Sequence, residues 1–189
     1  MVEAFGATAV VLVEGASDQR AIEALARRRG RDLAAEGVAV VAIGGSRNAS
    51  RFIESHGARG LGQRLAGLCD AAEARDYRRG LERAGLGSAL TSDEMERLGF
   101  HVCVADLEDE LIRALGARAV ERVLDGEGEL ASFRTFQRQP QWRDRADHEQ
   151  LRRFLGTYSG RKIRMAPLLV EALDLAQVPR PLDGVLSNV

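Results

Sequence analysis

Four short apolar runs, each followed by a segment with helical spacing, are the feature that most constrains how this chain folds. The runs are ATAVVLV, GVAVVAI, RLAGLCD and GFHVCVAD, all within the first 106 residues. Each is shorter than an ordinary helix, and such runs are typical of strands buried on both faces. Strands that alternate with helices pair in parallel through right-handed crossovers. The sequence therefore predicts an α/β fold: a four-stranded, mainly parallel sheet with helices on both faces.

The pattern changes after Gly116, because no further strand-like run occurs. The remaining residues are predicted to form helices, which we place at 117–124, 130–138, 148–155 and 163–175. A chain of 189 residues with 45% hydrophobic residues is long enough to bury one core. We therefore expect an α/β core over residues 1–116, with a helical extension over residues 117–189 packed on the same single domain.

Charge and cysteine content exclude several classes of protein. The formal net charge is -1, which excludes a polybasic coat for nucleic acid or membrane surfaces. Two cysteines do not make a disulfide scaffold, and no apolar stretch approaches the roughly 20 residues of a membrane span. These features predict a cytoplasmic protein without a membrane partner.

Carboxylates stand at the ends of three of the four runs. Glu14, Asp70 and Asp106 end the first, third and fourth runs, and Glu108 follows two residues later. Asp18 lies four residues after Glu14, so a helix that begins near Ser17 returns it over the same strand end. The carboxyl ends of parallel strands lie at one edge of the sheet, where ligands bind.

Taken singly, each of these carboxylates also suits the N-terminus of a helix. Together they repel one another, because two carboxylates about 5 Å apart cost roughly 3 kcal/mol at an effective dielectric of about 20. A divalent cation relieves that repulsion. Ligands that are all oxygen favour Mg²⁺ or Mn²⁺ over Zn²⁺. We therefore expect Mg²⁺, or Mn²⁺, at this edge.

One basic residue also stands apart. The chain contains 27 Lys and Arg residues, and Lys162 is the only lysine among them. Because arginine can fill almost any surface role, a single lysine in such a chain is a candidate for a specific function. The alternative is one accidental, solvated lysine.

These residues together resemble a known family. The segment VLVEGASD, the parallel-sheet units, the strand that ends in Asp and the acidic DLEDE segment resemble the Toprim domain, particularly that of the overcoming-lysogenization-defect (OLD) nucleases. The resemblance covers residues 10–110, and the tail RKIRMAPLLVEAL is similar to the lysine-bearing helix of the OLD type.

The resemblance implies a magnesium-dependent phosphodiester site that holds two metal ions. In that reading Glu14 and Asp18 hold one metal and act near the attacking water. Asp70, Asp106 and Glu108 hold the second metal. Lys162 then stabilises the pentacovalent phosphate, as its flexible point charge allows.

Two departures from the family pattern stand beside the resemblance. Toprim domains usually carry Asp-x-Asp after the third strand, whereas this chain reads Asp70-Ala71-Ala72-Glu73. Glu73 is the residue that could replace the missing ligand. The chain also lacks the Gly-x-x-x-x-Gly-Lys-Ser/Thr motif of the ATPase domain that OLD nucleases carry. The sequence thus predicts a stand-alone Toprim protein, which works by itself or with a separate ATPase partner.

The distribution of charge along the chain is consistent with DNA as the substrate. Residues 134–164 contain nine basic and three acidic residues, whereas residues 106–129 contain eight acidic and three basic ones. An acidic crevice beside a basic surface is a suitable shape for DNA, and two solvated helical faces are the alternative. The residues predicted to contact DNA are Arg152, Arg153, Arg161 and Arg164.

Three functions remain open at this point. The first is a metal-dependent nuclease, or an enzyme of nucleotidyl transfer or hydrolysis, acting on DNA with Glu14 and Lys162 as its catalytic residues. The second is a non-catalytic module that binds nucleic acid or a partner, which Ala72 in place of an aspartate favours. The third is an enzyme that acts on small phosphorylated molecules.

Overall fold

The computed structural model describes residues 6–57 and 60–189, apart from the side chain of Ser159. Its four strands are β1 Ala9–Val13, β2 Val38–Ala42, β3 Arg64–Cys69 and β4 Phe100–Val102. Its helices are α1 Ala16–Arg28, α2 Ala49–His56, α3 Ala74–Arg83, α4 Ser92–Arg97, α5 Leu107–Leu115, α6 Ala117–Gly126, α7 Leu130–Gln137, α8 Asp147–Leu155, α9 Ser159–Ala172 and α10 Arg180–Ser187.

The four strands form one parallel sheet in the order β2-β1-β3-β4. Strand β1 is central, and Val11 lies opposite Val40 on one side and Ala66 on the other. Every residue of β1 is fully buried, as a continuous apolar run between two helical layers requires. The predicted fold class is confirmed.

Two hydrophobic clusters lie on the two faces of the sheet. One contains side chains of α2, α3 and α4, and it includes the buried Ile53, Tyr77 and Met95. The other contains α1 and the helices that follow Gly116, so the second half of the chain extends the core of the first. The Arg28 guanidinium, for example, donates to the carbonyl oxygens of Val170 and Leu173. The division of the chain at residue 116 stays a prediction.

Two helices were not predicted. Helix α4 begins after Thr91, whose side chain accepts from the Glu94 backbone N–H while Glu94 accepts from the Thr91 N–H. This reciprocal capping is a signal that the sequence contained. Helix α10 has Pro181 in its first turn, where proline costs no hydrogen bond. The fourth strand is also shorter than its apolar run, because residues 103–106 form the loop that leads into α5.

Helices α2 and α3 cross closely at Gly80. A Cβ atom at Gly80 would lie 2.9 Å from the Ser50 Cα and 2.9 Å from the Ile53 Cδ1. We expect Gly80→Ala to lower the free energy of unfolding by about 1–3 kcal/mol, because backbone atoms of α2 must move. Gly126→Ala is the control, since no atom lies within 4 Å of that Cβ position. Chemical denaturation measures both; equal stability of the two variants would contradict the prediction.

Candidate metal centre

The acidic side chains predicted from the strand ends lie at the carboxyl edge of the sheet. Glu14 directly follows β1, and Asp70 directly follows β3. Asp106 is the N-cap of α5, and Glu108 lies in its first turn. Parallel strands place these positions together because all their carboxyl ends point the same way.

Three of the carboxylates approach one another closely. One oxygen each from Glu14, Asp70 and Glu73 lies within 4.8 Å of the other two, and we call these three residues the carboxylate cluster. Glu73 belongs to it because a tight turn after β3 brings the chain back: the Glu73 N–H donates to the Asp70 carbonyl oxygen over 3.0 Å. Ala72, at the position of the missing aspartate, is exposed. Glu73, which the sequence analysis considered as a substitute for the missing aspartate, thus lies beside Glu14 and Asp70.

Asp18 lies beside the cluster and serves the start of α1. Its Oδ2 accepts from the Gly15 backbone N–H over 2.9 Å. Burial raises the pKa of Asp18 to about 6, and repulsion from Glu108 and Glu14 adds to the increase. Asp18 is thus close enough to Glu108 and Glu14 to be repelled by them, although it is not within the 4.8 Å group.

Asp106 and Glu108 each have a cationic partner. Asp106 accepts from the Asp109 N–H through Oδ1 and from the Arg152 guanidinium through Oδ2 over 2.8 Å. Glu108 is buried, and its Oε2 accepts from the Lys162 Nζ over 2.7 Å. The only lysine of the chain thus reaches the acidic edge from α9. Its pKa lies above the usual value because the attraction of Glu108 outweighs burial, which lowers it.

Two carboxyl groups of this edge, those of Asp70 and Glu73, have pKa values above the ordinary range. Burial raises the pKa of Asp70 to about 7, and repulsion from Asp18 and Asp106 adds to it. Burial likewise raises the pKa of Glu73 to about 8, helped by a hydrogen bond that it shares with Glu14. Without a cation, the ionised forms of Asp70 and Glu73 are therefore disfavoured near neutral pH.

The donor set fits a hard divalent cation. Two buried carboxylate oxygens, Glu73 Oε2 and Glu108 Oε1, have no hydrogen-bond partner among the described residues. Buried oxygens of this kind need a positive partner. The nearby thiol of Cys69 is no competitor, because burial raises its pKa to about 12 and keeps it protonated. Oxygen donors alone suit Mg²⁺ or Mn²⁺.

Sequence reasoning missed the role of α8 in holding α5. His148 Nε2 lies 2.6 Å from Asp109 Oδ1, and Arg152, one turn later on α8, pairs with Asp106. Asp109 is further bonded by Arg113 over 2.8 Å. The spacing of four between His148 and Arg152 was the available signal, since it puts both side chains on one helix face.

The arginines predicted to contact DNA have different surroundings. Arg152 pairs with Asp106, Arg164 pairs with Glu127 and Glu129, and Arg153 is exposed. Arg161 is buried, and its guanidinium lies 3.8 Å from the centre of the Phe154 ring while bonding Glu129.

We therefore correct the prediction for Arg161. A guanidinium enclosed by Phe154 and bonded to Glu129 stabilises the packing of the C-terminal helices and has little surface left for a nucleic acid. The charge count of the segment could not reveal this, because it does not distinguish exposed arginines from buried ones. DNA contact by the other three residues stays a prediction.

The raised pKa values predict that stability depends on both pH and metal. For Asp18, Asp70 and Glu73 the folded-state pKa, about 6 to 8, exceeds the ordinary value of 3.8 or 4.5. The metal-free fold is favoured in its protonated form, so this contribution to stability falls as pH rises from about 4 to about 8. We expect Mg²⁺ to raise the melting temperature more at pH 8 than at pH 5.5.

Thermal unfolding at matched ionic strength, with sodium chloride in place of magnesium chloride, measures this effect. The same increase in melting temperature at both pH values would contradict the assignment of these carboxylates to a cation site.

The sheet order and the acidic carboxyl edge together define a parallel α/β protein with a candidate cation site at the carboxyl ends of its strands. Residues 5–71 match the family model "Overcoming lysogenization defect protein-like, TOPRIM domain". The match spans 67 of the 189 residues, and it confirms the resemblance to an OLD-like Toprim domain that the sequence predicted.

Solved structures extend the likeness in fold to nearly the whole chain. The C-terminal region of the Xanthomonas campestris pv. campestris OLD protein has a TM-score of 0.76 at 23% identity, covering 99% of this chain and 94% of that one. The C-terminal region of the Burkholderia pseudomallei OLD protein has a TM-score of 0.73 at 20% identity, covering 96% of each chain. No curated protein matches the chain.

Toprim domains generally bind divalent metals, in agreement with the acidic donors of this edge. Among the helices of residues 6–57 and 60–189, none has the length and apolar character that a membrane crossing requires.

Proposed function

We propose that this protein cleaves phosphodiester bonds of DNA with the help of Mg²⁺ or Mn²⁺, in the cytoplasm, by itself or with a separate ATPase partner. One observation carries the proposal: the carboxylate cluster and the ion pair between Lys162 and Glu108 lie at the same edge of the sheet. Cation ligands next to an ammonium group are the elements that a phosphoryl-transfer site requires.

The carboxylate cluster is the proposed holder of the cation. Its three members supply only oxygen, and a bound cation would polarise the phosphate and lower the pKa of a bound water. This grouping departs from the one that the resemblance implies, in which Asp18 shares a cation with Glu14, and Asp70 shares the other cation with Asp106 and Glu108. In the present proposal Asp18, Asp106 and Glu108, which are outside the 4.8 Å group, are the ligands of a second cation. That second site requires Arg152 to release Asp106, since the guanidinium now occupies the Asp106 Oδ2.

Two side chains of this chain have proposed roles in the reaction. Glu14 takes a proton from the attacking water, whose oxygen forms the new bond to phosphorus as the bond to the leaving oxygen breaks. The leaving oxygen becomes the hydroxyl of a new strand end by taking a proton from solvent water. Lys162 compensates the negative charge that develops on the phosphate. Its ammonium is held by Glu108 over 2.7 Å, and lysine can turn toward a new anionic partner because its stem is flexible.

Incubation with supercoiled plasmid and with single-stranded DNA tests the proposal. We expect cleavage in Mg²⁺ or Mn²⁺, none in EDTA, and strong loss of cleavage in Glu14→Gln. Glu171→Gln is the matched control, because Glu171 is an exposed glutamate near the C-terminal end of α9, away from the proposed reacting groups. Absence of cleavage in both metals, or full cleavage by Glu14→Gln, would count against the proposal.

A non-catalytic binding module is the second candidate. It is favoured by Ala72 and by the pairing of Asp106 with Arg152, which together leave the second cation site short of ligands. In that case we expect calorimetry to show DNA binding without turnover and at most one bound cation. Metal-dependent cleavage that disappears in Asp70→Asn would exclude it.

A further inference from the structure

Four exposed arginines lie on α2, on α3 and in the turn that precedes α2. They are Arg47, in the 3-10 turn before α2, Arg51 on α2, and Arg75 and Arg79 on α3. Among the described residues none of the four has a carboxylate partner within 4 Å, whereas the two basic residues at the metal centre, Arg152 and Lys162, are both paired with carboxylates. Exposed guanidinium groups without internal partners are free to bind an external anion.

These arginines lie next to the carboxylate cluster. The backbone N–H groups of Gly44 and Gly45 donate to the Glu14 carbonyl oxygen over 3.1 and 3.4 Å, so the loop before Arg47 rests on the end of β1. On α3, Glu73 belongs to the cluster and precedes Arg75 by two residues. Both helices therefore begin at the metal centre and extend away from it.

The two helices present their arginines as neighbouring rows. Residues four apart on a helix share a face and are separated by about 6 Å along its axis, which applies to Arg75 and Arg79. The first row consists of Arg47 and Arg51, and the second of Arg75 and Arg79. The two rows begin close together, because the Ser46 Oγ, next to Arg47, donates to the Asp76 Oδ2, next to Arg75, over 2.9 Å. The close crossing at Gly80 holds the helices side by side.

The basic segment 134–164 does not offer a comparable surface. Seven of its nine basic residues form ion pairs with carboxylates, and only Arg138 and Arg153 have none among the described residues. Several partners, such as Glu121 and Glu129, lie in the neighbouring acidic segment. The positive excess counted in the sequence is thus largely neutralised within the fold.

We propose that the sugar-phosphate backbone of DNA runs over the outer face of α2 and α3, bound by Arg47, Arg51, Arg75 and Arg79, and reaches the carboxylate cluster where the helices begin. This inference rests on the proposed function. Guanidinium groups bind phosphate oxygens in bidentate fashion and release counterions from DNA. The arginine rows also offset the repulsion between the acidic cluster and a polyanion.

Binding of a short fluorescent DNA duplex, measured in EDTA so that cleavage cannot intervene, tests the inference. The variants are Arg75→Ala/Arg79→Ala and Arg47→Ala/Arg51→Ala. The matched control is Arg118→Ala/Arg122→Ala, which removes two exposed arginines at the same spacing from α6, on the opposite face of the sheet. Circular dichroism establishes that each variant is folded, as the exposure of all six side chains leads us to expect.

We expect each α2 or α3 variant to bind at least about tenfold more weakly at 50 mM salt. The slope of log affinity against log salt should fall by about 2 for each pair removed, and the control should behave as wild type. Equal weakening in the control, unchanged binding in both test variants, or no DNA binding by the wild type would overturn the inference. Binding that follows the expected pattern without cleavage in Mg²⁺ would refute only the proposed function.

Discussion

Asp70→Asn is expected to reduce metal-dependent cleavage by at least about a hundredfold and to make the metal-free protein more stable at pH 8. Asp70 is central to the carboxylate cluster, so the amide removes a charged cation ligand. The same charge is unfavourable without a cation, since burial and repulsion raise the pKa of Asp70 to about 7. Activity and stability should therefore change in opposite directions.

The sign of the stability change follows from ionisation. At pH 5 Asp70 is protonated in the folded state, and asparagine then differs little from it. At pH 8 the carboxylate is ionised at a cost that the variant avoids. Asp70 is half-buried, so solvent screening reduces the gain in the free energy of unfolding to about 2 kcal/mol, or about 4–8 °C in melting temperature.

Thermal unfolding in EDTA at both pH values, together with plasmid cleavage in Mg²⁺, measures the two effects. Asp144→Asn is the matched control, because the Asp144 side chain is 84% exposed and lies away from the cluster. Loss of cleavage with a lower melting temperature at pH 8 would mean that Asp70 acts through folding rather than through a cation.

Lys162→Ala is expected to lower cleavage by about a hundredfold or more, a loss typical of removing one group that stabilises developing charge. It should also destabilise the fold, because Glu108 is buried and its second oxygen already has no partner. Since Lys162 is itself one-third exposed, we expect about 1–3 kcal/mol less free energy of unfolding.

Lys162→Arg separates the two roles of the residue. Arginine keeps the positive charge for Glu108 and should restore most of the stability, whereas its planar, less mobile group should restore cleavage only in part. Cleavage and denaturation are measured on both variants. Full activity in Lys162→Ala, or a Lys162→Arg variant that is no more stable than Lys162→Ala, would contradict the assigned roles.

The sheet was predictable from the sequence because a strand that is buried on both faces consists of a short, continuous apolar run. Runs such as ATAVVLV are continuous and short, and all four became strands of one parallel sheet. Helix α4 is short, and its capping box at Thr91 and Glu94 is a weaker local signal than an apolar run. Helix α10 follows a proline-rich loop that reads as irregular chain.

The sequence predicted which acidic residues lie at the site, but it did not predict which arginines form ion pairs there. Strand ends place Glu14 and Asp70 at one edge by topology alone, which needs no side-chain detail. The distribution of cations could not be read in the same way. Whether Arg152 faces Asp106 or solvent, and whether Arg161 is exposed, depends on how α8 and α9 pack, which no short-range pattern records.

The two hydrophobic clusters on opposite faces of the sheet have a consequence for assembly of the metal centre. Glu73 is carried by the layer that contains α3, whereas Asp18, Glu108 and Lys162 are carried by the layer that contains α1, α5 and α9. Neither layer alone contains all the charged groups of the metal centre. A chain whose α9 has not yet docked leaves Glu108 without its ammonium partner, so the full electrostatic environment is completed only when both halves of the sequence have folded onto the sheet.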